Sequence, residues 1–311
     1  MIKKDSSNPK YSFQLFELDD KFNFLTKLYN STRFPNVLLL SGKKGIGKST
    51  LVNHFLSYVF DNENYDLNNK IIDSETSFYQ QYLNNIFPNI IYLEGGYFKN
   101  VKVDDIRSLK TSIFKTSLSK KKRFIVLDDV ELFNTNSLNA LLKIIEEHPA
   151  NNNFILINNK SRPLIDTIRS RSLEVNISLT GKLRIKITQL LIKKFSFKNY
   201  IDIESYNLTP GNYLIFNNIC EINKINIKDD FLHNFKKLII LYKKNKDFNL
   251  INMVFFLNDL HFHSLFKKDN KNIERLYEKK SLISENLNKF VLFNLNQNTL
   301  INNVNAELSN G

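Results

Sequence analysis

Eight consecutive residues, Gly42-Lys43-Lys44-Gly45-Ile46-Gly47-Lys48-Ser49, carry the strongest chemical signal in the chain. They fit G-x-x-x-x-G-K-[ST]: glycines let backbone N–H groups converge on phosphate oxygens, and a helix start adds its dipole. The lysine can then reach the β and γ phosphates, and the hydroxyl can ligate magnesium. The predicted cofactor is ATP with Mg2+, bound by Gly42, Gly45, Gly47, Lys48, Ser49 and the following Thr50. Asp128 and Asp129 form a second signal at the end of the apolar run Phe124 to Leu127. A carboxylate at the C-terminal end of a buried parallel strand sits where such sheets bind ligands, so Asp128 is predicted to share the Mg2+ with Ser49. Asp129 is the weaker candidate for orienting an attacking water.

These groups need a sheet to hold them. Val37 to Leu40, Ile90 to Leu93, Phe124 to Leu127, Phe154 to Ile157 and Leu173 to Ile177 read as short apolar strands of the kind covered on both faces. Between them Ser49 to Phe60, Val103 to Leu118 and Asn136 to Glu147 show helical spacing, the last stopped by His148-Pro149. Alternating strand and helix predicts a parallel α/β sheet. Residues Asp61 to Pro88 read as a polar, irregular insertion. Beyond Ile177 the pattern is helical, with amphipathic stretches at Phe231 to Tyr242 and Ser284 to Leu295. The predicted division is residues 1-178, 179-224 and 225-311, with Thr209-Pro210-Gly211 punctuating the middle segment.

The 44 Lys and Arg against 31 Asp and Glu give a net charge of +13, which favours a negatively charged partner such as nucleic acid. Abundant lysine and asparagine throughout mean that much of this excess is solvated surface, and the run Lys120 to Arg123 reads as a solvated loop. Cys220 is the single cysteine, so neither an internal disulfide nor a CxxC zinc pair is available, and no zinc is expected. It reads as a buried apolar residue. His261 and His263 lack a third ligand and point apart on a helix, which favours packing over metal. Phe231, Phe235, Phe255 and Phe256 read as core or subunit interface. Met1 to Ser7 has no apolar core behind its lysines and no window approaches a bilayer-spanning length, so a cytoplasmic protein without a membrane partner is expected.

The stretch Asn139-Ala140-Leu141-Leu142-Lys143-Ile144-Ile145-Glu146-Glu147-His148-Pro149, followed by Phe154 to Asn158 and by Thr167-Ile168-Arg169-Ser170-Arg171-Ser172, resembles the bacterial clamp-loader subunits of the AAA+ family. Within them it is most similar to the delta-prime subunits of DNA polymerase III, and the resemblance spans most of residues 34 to 178. It implies an α/β AAA+ P-loop domain with a parallel sheet, a small helical lid and a C-terminal all-α collar. It also implies a hetero-oligomer with gamma/tau and delta subunits that acts on the sliding clamp and primer-template DNA in replication. Carried over residue by residue, Arg171 matches an arginine finger acting in trans on a neighbour's ATP, and Asn158 the sensor-1 position. Such a finger is worth on the order of 10³ to 10⁵ in rate in well-studied phosphoryl transfers.

Three departures bear on activity. Ser172 replaces the family's usual cysteine, Asp129 is shorter than the usual glutamate, and Asn212 stands where a sensor-2 arginine would supply charge. Weak or absent intrinsic ATPase is therefore expected beside ATP binding. The alternative is an autonomous P-loop ATPase of the gamma/tau type.

Overall fold

The computed structural model of the chain describes residues 8–95, 101–114, 122–268 and 272–309. The backbone divides into two compact units, Met1–Phe197 with Ile203–Leu214, and Lys198–Asp202 with Ile215–Gly311. The predicted middle segment 179-224 is thus shared between the units.

The first unit is built on five parallel strands: β1 (Val37–Ser41), β2 (Ile90–Glu94), β3 (Arg123–Asp128), β4 (Asn152–Asn158) and β5 (Leu173–Asn176), in the order β2-β3-β4-β1-β5. Side chains alternate across a strand, so one sequence supplies two cores. Leu38, Leu40, Phe124, Val126, Ile155 and Ile157 face one side, against Phe22 and Leu25 of α1 (Asp19–Asn30) and Leu51, Val52, Phe55 and Leu56 of α2 (Lys48–Phe60). Val37, Leu39, Ile125, Leu127, Phe154 and Leu156 face the other. There α4 (Val103–Phe114) supplies Ile106, Leu109 and Ile113, and α5 (Thr135–Glu147) supplies Leu138, Leu141 and Ile144. Asn134 starts α5 by accepting the Ser137 N–H at 2.8 Å, and extended His148 before Pro149 ends it.

The predicted strands are all present, and the first four run on to a polar last residue. The register aligns Ser41 with Asn158 and Asn176, and Asp128 with Glu94, so polar groups collect at the carboxyl edge of an otherwise apolar sheet.

Two expectations are corrected. Residues 61–88 are not an irregular insertion: α3 (Ser77–Leu83), capped by the Thr76 side chain, lies within them, and Tyr65, Ile72, Phe78, Tyr79 and Tyr82 are buried in the first core. Phe78, Phe60 and Phe87 pack with ring centroids 4.9–5.9 Å apart, a cluster that surrounding Asn and Asp residues conceal from a periodicity reading. Arg123 is not part of a solvated loop. It is buried, and its Nη1 donates to the last-turn carbonyls of Ser112 (3.0 Å) and Ile113 (3.3 Å), capping α4. Lys120, Lys121 and the end of the helix predicted to Leu118 lie outside the described residues.

The short helix α6 (Asp166–Arg169) precedes β5, and α7 (Gly181–Phe195) follows it. α8 (Pro210–Asn223) begins with proline at its first turn, where no N–H is needed. The second unit continues with α9 (Phe231–Asn245), α10 (Phe248–Lys268), α11 (Ile273–Leu292) and α12 (Gln297–Ser309), each packed on the next and α12 returning to α9. Phe235, Leu238, Val254, Phe262, Leu287, Phe290 and Val304 fill the centre. Phe231 and Phe235 are core residues; Phe231 stacks on His261 at 4.7 Å and Phe256 on Phe216 at 5.4 Å. Cys220 is fully buried, and burial pushes its thiol up to about 12. Among the described residues no three His, Cys, Asp or Glu side chains are grouped to hold a metal ion, and no helix is long and apolar enough to cross a membrane.

Candidate functional site: a phosphate loop with paired acids

Strand β1 runs straight into the loop Gly42 to Gly47, and α2 begins at Lys48 without a capping side chain. Gly45 (φ +82°) and Gly47 (φ +98°) hold backbone conformations that side-chain-bearing residues rarely adopt, so the loop's curvature depends on them. The Gly42 N–H donates to the Asn158 carbonyl at 3.1 Å, tying the loop's first residue to β4. Buried Lys48 bends back over the loop, its Nζ donating to the carbonyls of Gly42 (2.8 Å) and Lys43 (2.9 Å). Burial, opposed by the charges of Asp128, Glu131 and Asp129, lowers its ammonium to about 8.

Asp128 ends β3, which is separated from β1 by β4 alone. Its Oδ2 accepts from Ser49 Oγ at 2.7 Å and Tyr92 Oη at 2.9 Å, and its Oδ1 from the Asp129 N–H at 2.8 Å. Burial, reinforced by the neighbouring Asp129, raises the Asp128 carboxyl above its usual range. Hydroxyl and carboxylate oxygens at this spacing are hard donors suited to Mg2+, which uses few protein ligands beside water and phosphate. Ser49 and Asp128 therefore fit the predicted metal role, and Thr50 follows Ser49 in the first turn of α2.

Asp129 adopts a left-handed backbone (φ 52°) and turns its carboxylate toward the loop. Oδ2 pairs with Lys44 at 3.1 Å, and Oδ1 accepts from Asn159 Nδ2. Both oxygens of the proposed water-orienting group are thus engaged by donors. Buried Glu131 fixes the segment after β4, accepting from the Asn159 N–H at 3.1 Å and from Ser161 Oγ at 2.7 Å. Asn158 lies at the strand ends: its Nδ2 donates to Ser41 Oγ at 3.3 Å and its Oδ1 accepts the Lys160 N–H at 2.9 Å. The asparagine that reaches the acid pair is the next one, Asn159.

The segment that resembles a lid closure meets the same loop. Thr209 Oγ1 donates to the Lys44 carbonyl at 2.7 Å, and the Gly211 N–H to the Gly45 carbonyl at 2.8 Å. A Cβ on Gly45 would lie 2.6 Å from Thr209 Oγ1 and 2.8 Å from the Asn212 nitrogen, so Asn212 stands beside the phosphate loop. Buried Arg184 anchors this approach, its Nη1 donating to the carbonyls of Ile203, Tyr206 and Leu208 at 3.0–3.3 Å.

Arg171 lies in the turn between α6 and β5, with its side chain about half exposed. Its Nε donates to Glu146 Oε1 at 2.8 Å and its Nη1 to the Thr167 carbonyl at 3.2 Å. It is bonded to neither acid of the pair. Sequence reading gave no site role to Tyr92, Asn159, Glu131 or Arg184, because each acts through a contact distant in sequence; Lys44 and Thr209 stood inside segments it singled out, but their contacts were not foreseen.

A G-K-S loop opening a helix after a parallel strand, with an acid-tipped strand one removed, defines a P-loop α/β protein of the AAA+ class. The family model described as DNA polymerase III, delta subunit, matches residues 18–180, just over half of the chain. The chain belongs to that family and is a clamp-loader protein of the delta-prime type. It is 25% identical over 176 residues to the DNA polymerase III subunit gamma of Buchnera aphidicola subsp. Acyrthosiphon pisum, covering 57% of this chain and 46% of that one. To the delta-prime subunit of Buchnera aphidicola subsp. Baizongia pistaciae it is 26% identical over 147 residues, covering 45% and 43%. The chain thus spans less than half the length of these curated relatives. Among solved structures, a gamma subunit-related protein of Thermotoga maritima aligns over 92% of this chain and 98% of its own, with 16% identity and a TM-score of 0.45.

Proposed function

We propose that this chain is the stator of a heteromeric clamp loader, working in the cytoplasm with gamma/tau and delta subunits to place the sliding clamp on primer-template DNA. In this reading residues 1-178 form the nucleotide-binding domain, 179-224 its lid and 225-311 the collar through which subunits assemble. Gly42, Gly45, Gly47, Lys48, Ser49, Thr50 and Asp128 hold ATP with Mg2+, which supplies charge neutralisation at the phosphates. The chain itself turns ATP over weakly, and Arg171 acts on the ATP of a neighbour.

One observation carries this reading: Asp129 has both oxygens bonded to Lys44 and Asn159, while the Arg171 guanidinium is half exposed on a turn. A carboxylate so engaged is a poor water-orienting base, and an outward arginine suits action in trans. Reconstitution with gamma/tau, delta, clamp and primed DNA tests it. Arg171→Ala is expected to reduce DNA-stimulated ATP hydrolysis at the neighbouring site by at least about 100-fold, with loading falling in step. Unchanged ATPase and loading rates would remove Arg171 from the reaction.

The 2.7 Å Ser49–Asp128 pair supports a second reading, an autonomous ATPase of the gamma/tau type with Asn158 or Asp129 assisting. Steady-state hydrolysis by the isolated chain decides it: turnover no higher than in Lys48→Ala eliminates this alternative.

A further inference from the structure

The two glutamates that end α5 have different partners. Glu147 pairs with Lys110 of α4 at 3.2 Å, whereas Glu146 turns toward α6 and takes Arg171 Nε at 2.8 Å. The turn bearing Arg171 is itself anchored. Ile168 is fully buried against the core that Leu141 and Ile144 of α5 help to form. Ser172 Oγ donates to the Ile168 carbonyl at 2.7 Å, and the Ser170 N–H to the Asp166 carbonyl at 2.8 Å. The neighbouring Arg169 is bound separately, by Glu174 at 3.2 Å, so it does not compete for Glu146.

A guanidinium is planar, with five donors in a fixed fork. Fixing Nε on Glu146 and one Nη1 hydrogen on the Thr167 carbonyl sets the plane of the group. One Nη2 hydrogen shares the Nε edge that faces Glu146, while the other Nη2 hydrogen and the second on Nη1 make no hydrogen bond among the described residues. An ion pair this exposed adds little to stability, so its consequence is geometric.

We infer that Glu146 is the positioning residue of Arg171, holding the guanidinium in the orientation in which it meets the phosphate of a neighbouring subunit's nucleotide. This rests on the reading of Arg171 as a finger acting in trans. Glu146 touches no substrate; it acts through Arg171. A freely rotating arginine would reach the same phosphate in a small share of its rotamers, and misplacement of a reacting group by about 1 Å can cost on the order of 100-fold in rate.

The test is a double-mutant cycle in the reconstituted complex, read as kcat and KM for ATP, with assembly followed by gel filtration. Glu146→Ala is expected to lower kcat about tenfold with KM and assembly unchanged. Glu146→Gln, whose amide oxygen still accepts from Nε, is expected to stay within about threefold of wild type. In an Arg171→Ala background, Glu146→Ala is expected to cost nothing further. Wild-type kcat in Glu146→Ala, a Gln variant as slow as the Ala variant, or an additional loss in the double variant each overturns the positioning role while leaving the finger intact. An Arg171→Ala complex with normal kcat overturns both.

Discussion

Lys48 shows how one buried charge links the site to pH. Its ammonium is lowered to about 8 from an ordinary 10.5, so between those values the unfolded chain holds a proton that the folded chain has released. Keeping the buried charge costs stability at all pH values below about 8, and that cost is relieved as pH rises through the window from about 8 to 10.5. Stability should therefore rise with pH across that window, by at most about 3 kcal/mol from this group. Urea unfolding of wild type and Lys48→Met at pH 7.5 and 9.5 checks it: the wild type should gain on the variant at the higher pH. Nucleotide binding runs the other way. A phosphate anion favours the charged lysine, so affinity for ATP should fall as pH is raised from 7 to 9 and the fall should flatten in Lys48→Arg. At this scale much was legible. The P-loop and Asp128 stand in the structure as their spacing implied, because short-range motifs carry their own geometry. The partners of Asp129 were not legible, since Lys44 and Asn159 meet it only through three separate strand ends.

Elements place these groups, and the lid approach depends on two features. Arg184 donates to the carbonyls of Ile203, Tyr206 and Leu208, of which Tyr206 also accepts the Leu208 N–H, so Arg184→Met leaves buried carbonyls short of a donor and is expected to cost about 2–4 kcal/mol in chemical denaturation. Gly211 approaches Gly45 so closely that an added Cβ would lie 2.8 Å from the Gly45 Cα, a backbone atom that cannot rotate aside. Gly211→Ala should separate the segment from the phosphate loop, seen as faster hydrogen exchange at the Gly211 and Tyr213 amides. The strands and the crossover helices followed from apolar runs and 3.6-residue spacing. Residues 61–88 did not, because α3 is only seven residues long and its aromatic anchors are scattered among Asn and Asp. Arg123 was hidden by its company: three lysines before it suggest a solvated run, yet it lies at the head of a buried strand and caps a helix end.

Across the whole molecule the net charge of +13 is the property most open to measurement. If the chain contributes to DNA contact, it does so through phosphates, so the affinity of the assembled loader for primed DNA should fall steeply with salt. Each phosphate this chain neutralises adds about 0.9 to the log–log slope, and charge-reversing its exposed lysines should flatten that slope. The helical second unit was legible as amphipathic helices, but its division from the first was not, because the chain leaves the α/β unit, returns for residues 203–214 and leaves again. Its Cys220 has a practical consequence. The only thiol in the chain is fully buried with its ionisation pushed up to about 12, so it is close to inert while the helices stay packed. A disulfide reagent in excess then reads how often this unit opens, with no label attached. Conversely, any cysteine introduced at the surface reacts alone, which lets a single dye follow subunit assembly on the otherwise unaltered protein.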